Sequence, residues 1–197
     1  MHMSNTDCGE VLLPIARNAI AHEWGYALTT REDLPWLYEQ GACFVTLTQG
    51  EELRGCVGTL EAHRSLLADV KANARAAAFS DPRFAPLSES ELQRTDIEIS
   101  LLSALQPLQF ASEADALAQL RPGIDGLVFE YRHFRSTFLP QVWEQLPNAE
   151  EFMGFLKRKS GLPADFWADG VQLHRYTVSK LKEKDLTTIS DRAQRIH

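Results

Sequence analysis

Leu53-Arg54-Gly55-Cys56-Val57-Gly58 is a short apolar stretch in which two glycines bracket a cysteine and an arginine stands before the first glycine. Glycine within a strand gives up side-chain packing for geometry, and so marks a bulge or a close backbone approach. The preceding stretch, Ala42-Cys43-Phe44-Val45-Thr46-Leu47-Thr48, is rich in β-formers, and Gln49-Gly50-Glu51-Glu52 supplies a turn between the two. Together they read as a β-hairpin. A symmetrical turn sets Cys56 opposite Val45 and Arg54 opposite Leu47, both projecting from one face.

Helices flank this hairpin. From Gly9 to Trp24 the residues Leu12, Ile15, Ala16, Ala19 and Ile20 recur at helical spacing, and Gly25 ends the run. Thr30 with Asp33 reads as a capping box for a turn at Pro35-Trp36-Leu37. Downstream, Leu66, Leu67, Val70, Ala74, Ala77 and Ala78 make one face of a helix, with Arg64, Lys71 and Arg75 on the other, until Asp81-Pro82 stops it. Ser88 and Glu91 form a second capping box. Asp96 to Ser103 then alternates as a strand, with Ile97, Ile99 and Leu101 on one face and Glu98, Ser100 and Leu102 on the other.

The second half follows the same outline. Ser112 caps a helix through Leu120, and Pro122-Gly123-Ile124-Asp125-Gly126 turns the chain into a hairpin of Leu127–Tyr131 with Arg135–Val142. Asn148 with Glu151 caps a helix that carries Phe152, Phe155 and Leu156, Gly161 and Pro163 end it, and Val171–Val178 closes as a strand. Strand, strand, helix, strand thus occurs twice, which suggests an internal β-β-α-β duplication. Charge dominates from Lys180 onward and periodicity weakens, so the domain spans 9–182, with tails at 1–8 and 183–197.

Composition narrows the function classes. A chain of 197 residues holds one substantial core or two small lobes. The net charge of −7 disfavours a general nucleic-acid or anionic-membrane binder, whose affinity rests on neutralising phosphates. Cys8, Cys43 and Cys56 form no CxxC pair, which fits a reduced, cytoplasmic protein better than a disulfide framework. Asp7 and Glu10 argue against a signal peptide, and no apolar run approaches a membrane span.

Six blocks carry a family resemblance. They are Leu53–Leu60, Ala76–Leu87 (which contains Asp81-Pro82-Arg83-Phe84), Ile97–Ser103, Gly123–Leu127, Phe138-Leu139-Pro140-Gln141-Val142 and Lys159-Ser160-Gly161-Leu162. In this order they resemble the AMMECR family, of the type that forms component A of the AmmeMemoRadiSam set. Val57, Ser160 and Ser136 depart from the family pattern, Ser136 standing where a glycine is common. The resemblance implies an α+β fold of two unequal lobes, antiparallel sheets with flanking helices. It also implies a Memo-type protein and a radical SAM protein as partners, and it supplies no reaction.

The candidate chemistry gathers on the opening stretch. Cys56 is either a thiolate nucleophile, activated by Arg54 with His63 or Glu98 moving a proton, or a small apolar residue packed on a sheet face. Arg54 either binds a ligand or pairs with Glu98. Arg83 carries the same ambiguity, and Asp81 reads as a helix stop and turn cap. Gly55 and Gly58 fit a bulge, a tight helix contact or a ligand meeting the backbone. The histidines show no metal-ligand spacing, and neither a Walker sequence nor GxGxxG is present, so no metal or cofactor is assigned. Lys157-Arg158-Lys159 reads as a solvated helix end, and Phe134, Phe138, Trp143, Phe166 and Trp167 as second-lobe core. Two functions remain: an accessory domain that binds a partner or small ligand around Arg54 and Cys56, and an enzyme that uses Cys56.

Overall fold

The structure is a computed structural model that describes residues 5–186. In chain order its elements are α1 (Asn5–Ala21), β1 (Cys43–Gln49), β2 (Glu52–Gly58), α2 (Leu66–Phe79), α3 (Glu89–Leu92), β3 (Asp96–Leu102), β4 (Gln106–Pro107), α4 (Glu113–Ala118), β5 (Gly126–Tyr131), β6 (Phe134–Phe138), α5 (Ala149–Ser160), β7 (Gln172–Tyr176) and β8 (Val178–Lys182). They form two units, one made by the chain through Leu102 with the residues from Ser179, the other by Ser103–Val178.

The first unit holds a sheet of order β2-β1-β3-β8, with β1 antiparallel to both β2 and β3. Alternation along the strands sends Val45, Leu47, Ile97 and Ile99 into a core with Leu12, Ile15 and Ile20 of α1 and Val70, Ala74 and Ala77 of α2. The alanine face of α2 lets the helix lie close to the strands. Helix α1 starts at Asn5, one turn ahead of Gly9, and Gly25 ends the following 3-10 turn in the left-handed region, φ 78°. The cap expected at Thr30 does not form. Thr30 Oγ1 instead donates to Glu32 Oε1 at 2.9 Å, and the turn at Pro35–Tyr38 is entered from Leu34.

Residues 178–182 form β8 beside β3, with Leu181 in the core, where the sequence predicts a strand ending at Val178 and weak periodicity from Lys180. Lys180 and Lys182 flank the buried Leu181 at strand spacing, and a charged outer row hides such a strand from a search for apolar periodicity. Glu183 is also held, by Arg17 at 2.7 and 2.5 Å, although 183 was expected to begin a tail. The remaining tail residues, 1–4 and 187–197, lie outside the described residues.

The second unit has a sheet of order β4-β7-β5-β6, with β5 antiparallel to β6 and β7. Strand β6 stops at Phe138, short of Val142, because Pro140 has no N–H to give a ladder and opens a 3-10 turn. Leu127, Phe129 and Leu173 pack against Phe152, Met153 and Leu156 of α5. Trp143 stacks on Phe152 at 3.8 Å and donates its Nε1 proton to the Asp125 carbonyl at 2.7 Å.

The two sheets share a plan. Each has a hairpin whose first strand is central, then a helix, then a strand that pairs on the hairpin's other side: β2-β1-β3 and β6-β5-β7. The correspondence reaches single residues. Counting back from each turn, the third paired position is Leu47 with Gly55 in one hairpin and Phe129 with Ser136 in the other. At Gly55 a Cβ would stand 2.1 Å from the Ala77 carbonyl of α2. At Ser136 the hydroxyl donates to the Leu156 carbonyl of α5 at 2.6 Å. The departure at Ser136 therefore introduces no buried unpaired group.

Candidate functional site

Arg54 occupies a β-bulge. Thr48 pairs with Leu53 and Leu47 with Gly55, which leaves Arg54 as the extra residue of β2. The insertion moves the register by one, so Cys56 stands opposite Thr46, not Val45, and Arg54 stands opposite nothing, not Leu47. Cys56 therefore faces away from the core. Its Sγ accepts the Thr46 hydroxyl at 3.4 Å, and the residue is partly exposed.

The guanidinium of Arg54 leaves the strand for α3. Nε donates to Glu91 Oε1 at 3.0 Å and Nη2 to Glu91 Oε2 at 3.3 Å, with a further bond to the Pro86 carbonyl at 3.4 Å. The pairing with Glu98 is thus corrected to Glu91. Glu91 also accepts the Ser88 backbone N–H at 2.8 Å and the Ser88 hydroxyl at 2.7 Å, completing the expected capping box. Arg54, followed by the Ser88 donors, holds the Glu91 carboxyl well below the usual carboxylate range.

Strand β2 is a sheet edge, and side chains close it. Asp81 Oδ2 accepts the Cys56 backbone N–H at 2.9 Å, and Arg83 Nη2 donates to the Cys56 carbonyl at 3.3 Å. The two side chains pair bidentately, Nε to Oδ1 at 2.9 Å and Nη2 to Oδ2 at 2.7 Å. Asp81 Oδ1 also accepts the Arg83 N–H at 3.1 Å, so the carboxylate caps its own turn as expected and clamps the strand as well. Arg83, then the Cys56 N–H, hold its carboxyl well below the usual range. Phe84 has both Arg83 (5.4 Å) and Arg54 (5.9 Å) near its ring.

The remaining candidates fall into three places. Glu98 pairs with Thr46 on the side opposite Cys56, so Cys56, Thr46 and Glu98 make a transverse row across β2, β1 and β3. Its carboxylate lies 3.5 Å from Lys182 and 3.9 Å from Lys180. Gly58 sits under Phe44, where a Cβ would meet the ring at 2.2 Å, so both motif glycines serve close packing. His63 is exposed and its Nδ1 donates to the Glu61 carbonyl in its own loop at 3.0 Å, bonding to nothing in the Cys56 row.

A buried polar network joins the ends of β1 and β2 to α2, and sequence reasoning missed it. Asp69 is fully buried and accepts the Cys43 N–H (2.9 Å), the Thr59 hydroxyl (2.8 Å), Arg64 Nε (2.8 Å) and Asn73 Nδ2 (3.0 Å). Asn73 Nδ2 also reaches the Cys43 carbonyl at 2.9 Å. Burial pushes the Cys43 thiol far up, with Asp69 adding to it. The signal was present, since Asp69 and Asn73 lie four apart between the apolar positions 66, 70, 74 and 77.

Among the described residues no group of three or more His, Cys, Asp or Glu is placed to hold a metal ion, and no helix is long and apolar enough to cross a membrane. Comparison with known proteins agrees with the fold. A protein of Methanothermobacter thermautotrophicus is 38% identical over 167 residues, which cover 83% of this chain and 87% of that one. Protein MJ0810 of Methanocaldococcus jannaschii is 34% identical, covering 74% of each. The crystal structure of the uncharacterized protein PH0010 from Pyrococcus horikoshii matches with a TM-score of 0.67 at 29% identity, covering 87% of this chain and 89% of that one. The AMMECR1 family model matches residues 13–181, a span that contains the bulge, the Asp81–Arg83 clamp and both hairpins, and the chain belongs to that family.

Proposed function

We propose that the chain is an accessory domain of the cytoplasm, and that it binds a partner protein or small ligand through the outer face of its first sheet, around Cys56, Thr46 and Glu98. Memo-type and radical SAM proteins are the partners that the family resemblance suggests. One observation carries the reading: the charged side chains of the motif are engaged in holding β2. Arg54 is taken by Glu91, and Asp81 and Arg83 by each other and by the Cys56 backbone. What they leave is the partly exposed row of Cys56, Thr46 and Glu98.

The test is association of the purified chain with purified Memo-type and radical SAM proteins from the same genome, followed by calorimetry. Cys56→Ala should leave fold and association intact, and Glu98→Arg, which reverses the charge of the row, should abolish association in a folded protein. Arg54→Ala is a poor probe, because loss of the Glu91 pair disturbs the fold itself. Absence of association in the wild type, or unchanged association in Glu98→Arg, would remove the proposal.

A second reading keeps Cys56 as a thiolate nucleophile. Its support is the partly exposed sulfur that accepts the Thr46 hydroxyl, with Arg83 bonded to the carbonyl of the same residue. It requires alkylation of Cys56, located by mass spectrometry, to run at neutral pH and below. A rate that rises only as an ordinary thiol ionises, near pH 8.5, would overturn it.

A further inference from the structure

We propose that the second unit carries a docking surface for an acidic peptide segment of a partner protein, built from the β5–β6 hairpin tip and the end of α5. Cations at this end of the unit lie beside aromatic rings. Arg132 stands 5.1 Å from the Tyr131 ring, Arg158 4.2 Å from Phe155 and Lys159 5.1 Å from Phe138. His133 lies 4.0 Å from Phe134. The tip and the helix end adjoin, because a Cβ at Gly161 would sit 3.8 Å from the Phe134 ring.

Three properties give the partner's chemistry. First, Arg132 and Arg158 are exposed and no described carboxylate pairs with either, while Glu130 is already taken by Arg135. Second, the rings hold these cations without using up their N–H donors, so each guanidinium keeps the fork that fits a carboxylate. Third, Phe155 is 45% exposed beside Arg158, an apolar contact for a side chain between the acidic residues of a peptide. Arg132 is also the one non-glycine among the described residues held at positive φ, 54°, at the turn between β5 and β6. A nucleic acid fits less well. Stacked bases need free ring faces, against which the cations lie here.

The experiment is fluorescence anisotropy of the full chain with a labelled polyglutamate peptide, and in parallel with a labelled single-stranded oligonucleotide. The peptide should bind saturably, weaken with added salt, and bind about tenfold more weakly to Arg132→Gly Arg158→Ala. Glycine accepts the positive φ at 132, so this variant keeps its fold, and circular dichroism checks that it does. Arg94→Ala, an exposed arginine of the other unit, should bind like the wild type. Failure of the peptide to bind, equal loss in Arg94→Ala, or tighter binding of the oligonucleotide than of the peptide would each overturn the proposal.

Discussion

Asp81 accepts the backbone N–H of Cys56 at 2.9 Å while its partner Arg83 donates to the carbonyl of the same residue. An ion pair of side chains thus stands where a neighbouring strand would lie, and it satisfies the free edge of β2 at the centre of the family's signature stretch. An edge closed in this way is also a poor template for pairing with another chain.

Acid should release this clamp. Asp81 and Glu91 both titrate below their unfolded values of about 3.9 and 4.3, so near pH 4 the unfolded chain binds more protons than the folded one. Their contribution is complete above roughly pH 5 and is lost as pH falls through the depressed folded values. The melting temperature of the wild type should therefore fall more steeply below roughly pH 5 than that of Asp81→Asn Glu91→Gln, which starts lower at pH 7. Calorimetry across this range checks it, and parallel curves would count against the assignment.

Gly55 should tolerate no side chain. The Ala77 carbonyl lies 2.1 Å from the position of an added Cβ and belongs to the backbone of α2, so helix and strand must part. Gly55→Ala should cost on the order of 3 kcal/mol, or roughly 10 °C in melting temperature. Gly50→Ala makes a useful comparison, because nothing crowds that position and only its φ of 64° is strained. A loss at Gly55 no larger than at Gly50 would show that the helix is not in close contact there.

Ser136 occupies the matching place in the other hairpin, with a different solution. Its hydroxyl meets the Leu156 carbonyl at 2.6 Å, so Ser136→Ala should cost about 1 kcal/mol in urea unfolding. Ser136→Gly should cost somewhat more, as strand flexibility is added to the lost bond.

The hairpins, the caps at Ser88, Ser112 and Asn148 and the stop at Gly161 were legible in the sequence because each is a local pattern of a few residues. The partner of Arg54 was not. One bulged residue moved the register; the glycines left a bulge and a close approach open alike, and nothing local showed that a bulge would fall on Arg54. Asp69 escaped for a different reason. A carboxylate in the first turn of a helix reads as a dipole partner, and only the fold brings Cys43, Thr59 and Arg64 around it. The split of 171–182 into β7 and β8 depends on which sheet each half joins, a long-range property.

Lys157 provides the last test, since its place on the basic run Lys157-Arg158-Lys159 predicts a solvated side chain and the structure buries it. Its side chain is 1% exposed, and Nζ bonds Glu113 of α4 and the Ala164 carbonyl, 5.3 Å from the Trp167 ring. A buried ammonium is tolerated only with its partner, so removing the carboxylate should hurt more than removing the pair. Glu113→Ala should cost about 2 kcal/mol, less than for a fully buried pair because Glu113 is about one-third exposed. Adding Lys157→Met, which keeps the volume and removes the stranded charge, should bring stability back to within about 1 kcal/mol of the wild type. Urea unfolding of both variants and of Lys157→Met alone closes the cycle. Losses that simply add would mean that Lys157 reaches water and that α4 and α5 are not joined by this pair.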